Sequence, residues 1–133
     1  MQPTPKHQAL SVVVAWLDAM RRGEPETAAA CFRADVRWRG LPDDAVCTSR
    51  DEVLDMLRHT PPPDTEALEL IAGEGTVVLG VRSQDLTEIG EVPLAAQLYN
   101  VFEIRDGAIA SVRDFAHRAD ALRAAQAQEP KWA

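Results

Sequence analysis

"VPLAAQLYNVFEIRDGAIASVRDFAH", Val92 to His117, is the stretch on which the fold turns. It holds two apolar runs of period two, the pattern of half-buried strands, joined by Asp106-Gly107. An Asp-Gly pair between alternating runs is a strong short-range hairpin signal, because both residues tolerate the positive φ that a tight turn demands. Working upstream, "TVVLGVRSQDLTE" from Thr76 and "ALELIAG" from Ala67 read as further strands, with turn signals at Gly73–Gly75 and Gly90. Downstream, an alanine-rich polar helix is expected over 118–126.

The first half of the chain has a different period. From Pro5 to Arg22, Leu10, Val13, Val14, Leu17 and Met20 recur at helical spacing, with Val12 and Trp16 widening the stripe. Gly23 is a suitable stop and Pro25 a suitable start for a short second helix. "DVRWRG", Asp35 to Gly40, alternates as a strand. Ser49 and Glu52 have capping-box spacing and open a third helix to about His59, which "PPPD" at Pro61–Asp64 terminates. Helices followed by hairpin-linked strands predict an α+β fold, a curved antiparallel sheet with helices packed on its concave face, forming a cone with a mouth. Length fits one domain over 1–133; residues 128–133 read either as a flexible tail or as a segment on which Trp132 packs back.

Composition narrows the function. Net charge is −7 and 26% of residues are charged, which argues against binding a phosphate backbone. No stretch approaches the roughly 20 apolar residues of a membrane span, and no basic-then-apolar leader is visible, so a cytoplasmic protein is expected. Cys31 and Cys47 make neither a disulfide framework nor a metal cluster, and His7, His59 and His117 lack ligand spacing. There is no phosphate-cradling glycine loop and no nucleophile elbow. No metal or cofactor is expected.

Chemistry concentrates at "SVRDFAHR", Ser111 to Arg118. Alternation puts Asp114 on one strand face with Val112 and Ala116. A carboxylate among apolar residues is costly unless something pairs with it. It is therefore a solvated charge, a structural ion pair, or the base of an active site. On the strand from Thr76, Arg82 shares a face with Val78, Gly80, Gln84 and Leu86, and is the natural partner if the two faces meet. Asp85 faces the other way unless a bulge turns it. Tyr99, the only tyrosine, reads as a core or interface residue or as a donor to an oxyanion. Trp16 and Trp38 read as pocket wall or core.

These segments resemble the nuclear transport factor 2-like superfamily with its SnoaL-like cyclases, and within it the limonene-epoxide-hydrolase family. "VPLAAQLYNVFEIRDGAIASVRDFAHRADAL" carries the likeness most clearly, with weaker similarity in "CFRADVRWRGLPDD" and "TVVLGVRSQDL". The resemblance implies a cystatin-like roll, a homodimer and an acid–base relay. In that relay Asp114 falls on the base that deprotonates water and Arg82 on the arginine beside it. Gln84 stands where the family has its proton-donating carboxylate, Trp38 where it has a water-holding tyrosine, and Gly40 where it has an asparagine. Glutamine cannot supply an acidic proton, so ordinary epoxide hydrolysis is not expected to carry over unchanged.

The expected function is acid–base chemistry on a hydrophobic epoxide or a polyketide- or terpene-like intermediate. Asp114, Arg82 and Gln84 form the expected catalytic set, with Trp38, Tyr99, Trp16, Val112 and Leu86 against the substrate. The competing readings are a non-catalytic binder of an apolar ligand in the same pocket, and an isomerase or cyclase using Tyr99. The expected partners are a hydrophobic small molecule and a second copy, docked through the sheet's outer face at Ala95, Tyr99 and Val101.

Overall fold

The computed structural model describes residues 4–41, 46–59, 66–82, 88–89, 92–93 and 97–132, the residues at 88–93 by backbone alone. Helix α1, Pro5–Arg21, begins at Thr4, whose Oγ1 accepts from the His7 N–H at 3.2 Å, and has Pro5 in its first turn. Its buried stripe is Ala9, Val13, Trp16, Leu17 and Met20. Val14, counted in that stripe from sequence, is 43% exposed, because it sits about 100° around the helix from Val13. Gly23 stops the helix with φ of 68°. Then come α2 (Pro25–Ala29), β1 (Phe32–Arg39), β2 (Val46–Cys47) and α3 (Arg50–Arg58). The Ser49 hydroxyl caps α3 as expected, accepting from the Glu52 N–H at 3.2 Å; the Glu52 carboxylate returns to Thr48 rather than to Ser49. The second half holds β3 (Glu66–Ala72), β4 (Thr76–Arg82), β5 (Glu88–Ile89), β6 (Val92–Pro93), β7 (Gln97–Arg105), β8 (Ala108–Phe115) and α4 (Arg118–Gln128).

Six strands form one sheet in the order β2-β1-β8-β7-β4-β3, and β5 pairs with β6 separately. The run read as one strand from Val92 is therefore divided, with Val92–Pro93 in the small ladder and β7 starting at Gln97. The Asp106-Gly107 hairpin forms as expected, with φ of 54° and 76°. Pairing is antiparallel except between β1 and β8, which run parallel. A parallel pair needs a long crossover, and here everything from β2 to β7 separates the two strands. One-residue ladder shifts in β3–β4 and β7–β8 mark bulges, which bend strands and increase their twist, and the β1–β8 register is interrupted between Phe32 and Arg37.

The two faces of the sheet are both covered. On the inner face α1, α2 and α3 enclose the main core with Phe32, Val36, Val77, Leu79, Phe102, Ile109 and Val112. On the outer face Val78, Tyr99 and Val101 pack with Ala121 and Ala125 of α4 and with Trp132. Helices were expected on the concave face alone. The second alternation register of β4 and β7 is also apolar, however, and the alanines of α4 let it approach closely. Nor are residues 128–132 a loose tail. Gln128 Nε2 donates to Thr76 Oγ1 at 2.9 Å and Trp132 Nε1 to the Thr76 carbonyl at 3.2 Å.

Candidate functional site

Asp114 lies near the end of β8, flanked across the sheet by β1 and β7. Parallel register sets Trp38 beside Val112, and antiparallel register sets Asn100 directly opposite Asp114. The Trp38 indole Nε1–H donates to both carboxylate oxygens, each at 3.2 Å. The Asn100 amide Nδ2 donates to Oδ1 at 2.6 Å. Both donors are neutral. Burial pushes the Asp114 carboxyl up from 3.8 to about 6, with the Trp38 and Asn100 hydrogen bonds pulling it back down. The group is thus a carboxylate that takes and gives a proton close to neutral pH.

Around it stands an aromatic wall. Trp16 meets Trp38 at a centroid distance of 5.9 Å and Phe102 edge-on at 5.4 Å, and Phe32 meets Trp38 at 6.0 Å. Trp16 and Trp38 are each more than nine-tenths buried. Among the described residues Trp16 Nε1 is a buried donor without a hydrogen-bond partner. Val112 is fully buried beneath this wall as core.

The expected Arg82–Asp114 pair does not form. Register runs Leu79, Asn100, Asp114 across three strands, so the odd positions of β4 share the Asp114 face. Arg82 alternates with Val78 and Gly80 onto the outer face, where its Nη2 meets Glu66 Oε2 at 3.2 Å. With no guanidinium bonded to it, Asp114 has a raised pKa instead of the lowered one that a cation would give. Tyr99 is on the outer face too. Its ring lies over Gly80, where a Cβ would come within 2.7 Å of Cε1, and its hydroxyl donates to Gln97 Oε1 at 3.2 Å. Tyr99 is therefore not a donor into the space beside Asp114. Tyr99 and Val101, taken from sequence as an exposed dimer patch, are 5% and 1% exposed under α4. Gln84, Leu86, Asp85 and Ala95 lie outside the described residues. Among the described residues no three His, Cys, Asp or Glu side chains are grouped to hold a metal ion.

Asn100 is the participant that sequence reading missed. It is one of two buried polar residues among those described, the other being Thr76. A lone asparagine within the apolar run "LYNVF" was the available signal.

The sequence profile of the SnoaL-like domain matches residues 13–112, well over half of the chain. The chain belongs to the SnoaL-like domain family. No curated protein sequence matches it. Among solved structures, this SnoaL-like domain is similar to a candidate ketosteroid isomerase from Kribbella flavida DSM 17836, at 21% identity and TM-score 0.69, over 86% of this chain and 82% of that one. It is also similar to an LEH-like epoxide hydrolase of M. tuberculosis, at 18% identity and TM-score 0.66, over 92% of both chains. A candidate SnoaL-like polyketide cyclase from Jannaschia sp. CCS1 aligns at 13% identity and TM-score 0.67, over 96% and 97%. At these identities the likeness establishes the nuclear transport factor 2-like fold, and one such fold hosts different chemistries. Among the described residues of the SnoaL-like domain, no helix is long and apolar enough to cross a membrane.

Proposed function

We propose that the protein is a small-molecule acid–base enzyme in which Asp114 is the base and the substrate is hydrophobic. One observation carries the reading: a half-buried carboxylate on an apolar face, held by two neutral N–H donors, with its pKa raised to about 6. A general base works best when its pKa lies near the operating pH. Neutral donors fix the carboxylate's orientation without quenching its basicity as a bonded guanidinium does. The aromatic wall of Trp16, Trp38 and Phe102 makes the surroundings of the carboxylate apolar, which suits a hydrophobic substrate.

Among the described residues no second carboxylate is bonded to this group. One base without an acid partner suits a reaction in which the same group takes a proton and returns it elsewhere. Isomerisation or cyclisation beside a carbonyl has that form. Epoxide opening by water needs a separate proton donor, and Gln84 is not one. The neighbours named as isomerase, epoxide hydrolase and cyclase make all three reactions worth testing.

The experiment is a panel of apolar enones, β-keto esters and epoxides incubated in deuterium oxide, followed by NMR. Expected is solvent-deuterium exchange or turnover of a carbonyl substrate, rising with pH to a plateau through a midpoint near 6. Asp114→Asn should lower it by about a hundred- to ten-thousand-fold. Tight binding of panel members with neither exchange nor turnover would leave a ligand-binding protein and overturn the enzyme reading.

A further inference from the structure

A second site lies on the other face of the sheet. A cleft of about 610 Å³ opens between α4 and the C-terminal ends of β1 and β8, within the range of small-molecule sites. Arg39 and Arg113 line it from the strands, and His117 and Arg123 from the helix. Asp114 borders it as well, but its carboxylate is turned to Trp38 and Asn100.

The charges in this cleft are arranged against the ordinary preference. Arg39 and Arg113 are direct neighbours in the parallel ladder, and like charges placed side by side on one sheet face lower stability. Among the described residues neither meets a carboxylate, whereas Arg33, Arg58, Arg82 and Arg118 all do. The chain has 21 acidic residues and a net charge of −7, so counter-ions are not scarce. Arg113 is also pre-positioned, its guanidinium 5.1 Å from the centroid of the Phe115 ring. Among the described residues only Arg123 is neutralised within the cleft, by Asp120. Helix α4 adds to the positive potential, since its N-cap His117 makes no side-chain cap bond and the first-turn N–H groups stay available. The remaining lining is apolar: Leu41, Phe115, Ala116, Ala124 and Ala127.

We propose that this cleft binds an amphipathic organic acid, with its carboxylate bridged by Arg39 and Arg113 and its apolar body laid along Phe115, Ala124 and Ala127. Planar guanidinium forks match a carboxylate in two-point contact, and an anion removes the repulsion between the two arginines. The apolar lining distinguishes such a ligand from a bare inorganic anion. This site does not depend on the chemistry at Asp114.

Calorimetric titration with octanoate tests it, with octanol as the tail without the charge and inorganic phosphate as the charge without the tail. Octanoate is expected to bind at least tenfold more tightly than either. The double variant Arg39→Gln, Arg113→Gln should weaken octanoate at least tenfold. Ala127→Glu, an exposed substitution that places a carboxylate on the cleft wall, should do the same if the double variant fails to fold. Octanol binding as well as octanoate, phosphate binding as well as octanoate, or octanoate affinity unchanged in both variants would each overturn the proposal.

Discussion

Replacing Asp114 by asparagine separates the two consequences of holding a carboxylate among apolar neighbours. Oδ1 already accepts from both Trp38 and Asn100, so an asparagine oxygen in its place keeps both of those bonds, and the second Trp38 contact, to Oδ2, is the one given up. The native carboxyl titrates near 6 against an ordinary 3.8, so between about pH 4 and 6 the folded chain binds more protons than the unfolded one. Stability therefore falls as pH rises through that window and is flat above it. At about 1.36 kcal/mol per pKa unit the whole effect is about 3 kcal/mol. Urea unfolding at pH 8 is expected to find Asp114→Asn more stable than the native chain by up to about 3 kcal/mol, with the two converging near pH 4. Trp38→Phe tests the opposite direction. Removing its N–H takes away a bond that favours the anion, so an NMR titration should find the Asp114 midpoint displaced upward from about 6. Alternation alone made Asp114 legible, but not its partners. A regular two-residue hairpin at Asp106-Gly107 aligns Asn100 with Arg113. The bulge between Glu103 and Ile104 shifts the ladder by one, bringing Asn100 opposite Asp114. Bulges leave little trace in composition, which is why a charged partner was sought on β4 instead.

Element ends were read well where a local rule fixes them. Ser49 caps α3, Gly23 ends α1, and Asp106-Gly107 turns the β7–β8 hairpin. The placement of α4 was not readable, because an alanine-rich polar helix does not say which face it will cover. It covers the outer face through Ala121 and Ala125, and Trp132 completes that small core. Trp132→Ala is expected to cost about 3–5 kcal/mol in denaturant unfolding, as truncating a large buried aromatic does. Gly80→Val probes the same layer from the strand side. Its Cβ has no room beside the Tyr99 ring, at 2.7 Å, and overpacking of this kind costs about 1–3 kcal/mol. A Gly80→Val chain as stable as the native one in the same assay would show that the Tyr99 ring has room to shift.

For the molecule as a whole, sequence pattern gave the α+β class and most strand neighbours, since hairpins are local. It did not give the parallel junction of β1 with β8, which joins elements remote in the chain. With the sheet covered on both sides, a chain cut after His117 is expected to bare Val78, Tyr99 and Val101, to bind more of a hydrophobic dye than the native chain and to sediment as larger species than it does. The same junction sets a clock. Trp38 and Asp114 are 76 residues apart, and no turn brings them together. Hairpins close in about 1–10 µs, while contacts of large sequence separation delay the rate-limiting step. Asp114 thus gains its proton affinity only once β8 has zipped against both β7 and β1. At pH 5 that closure draws nearly one proton per molecule out of solution, given a carboxyl that moves from 3.8 to about 6. A pH dye in a stopped-flow refolding run should therefore register uptake with the slowest phase rather than with the early collapse, making acidity itself the stopwatch of the final assembly step.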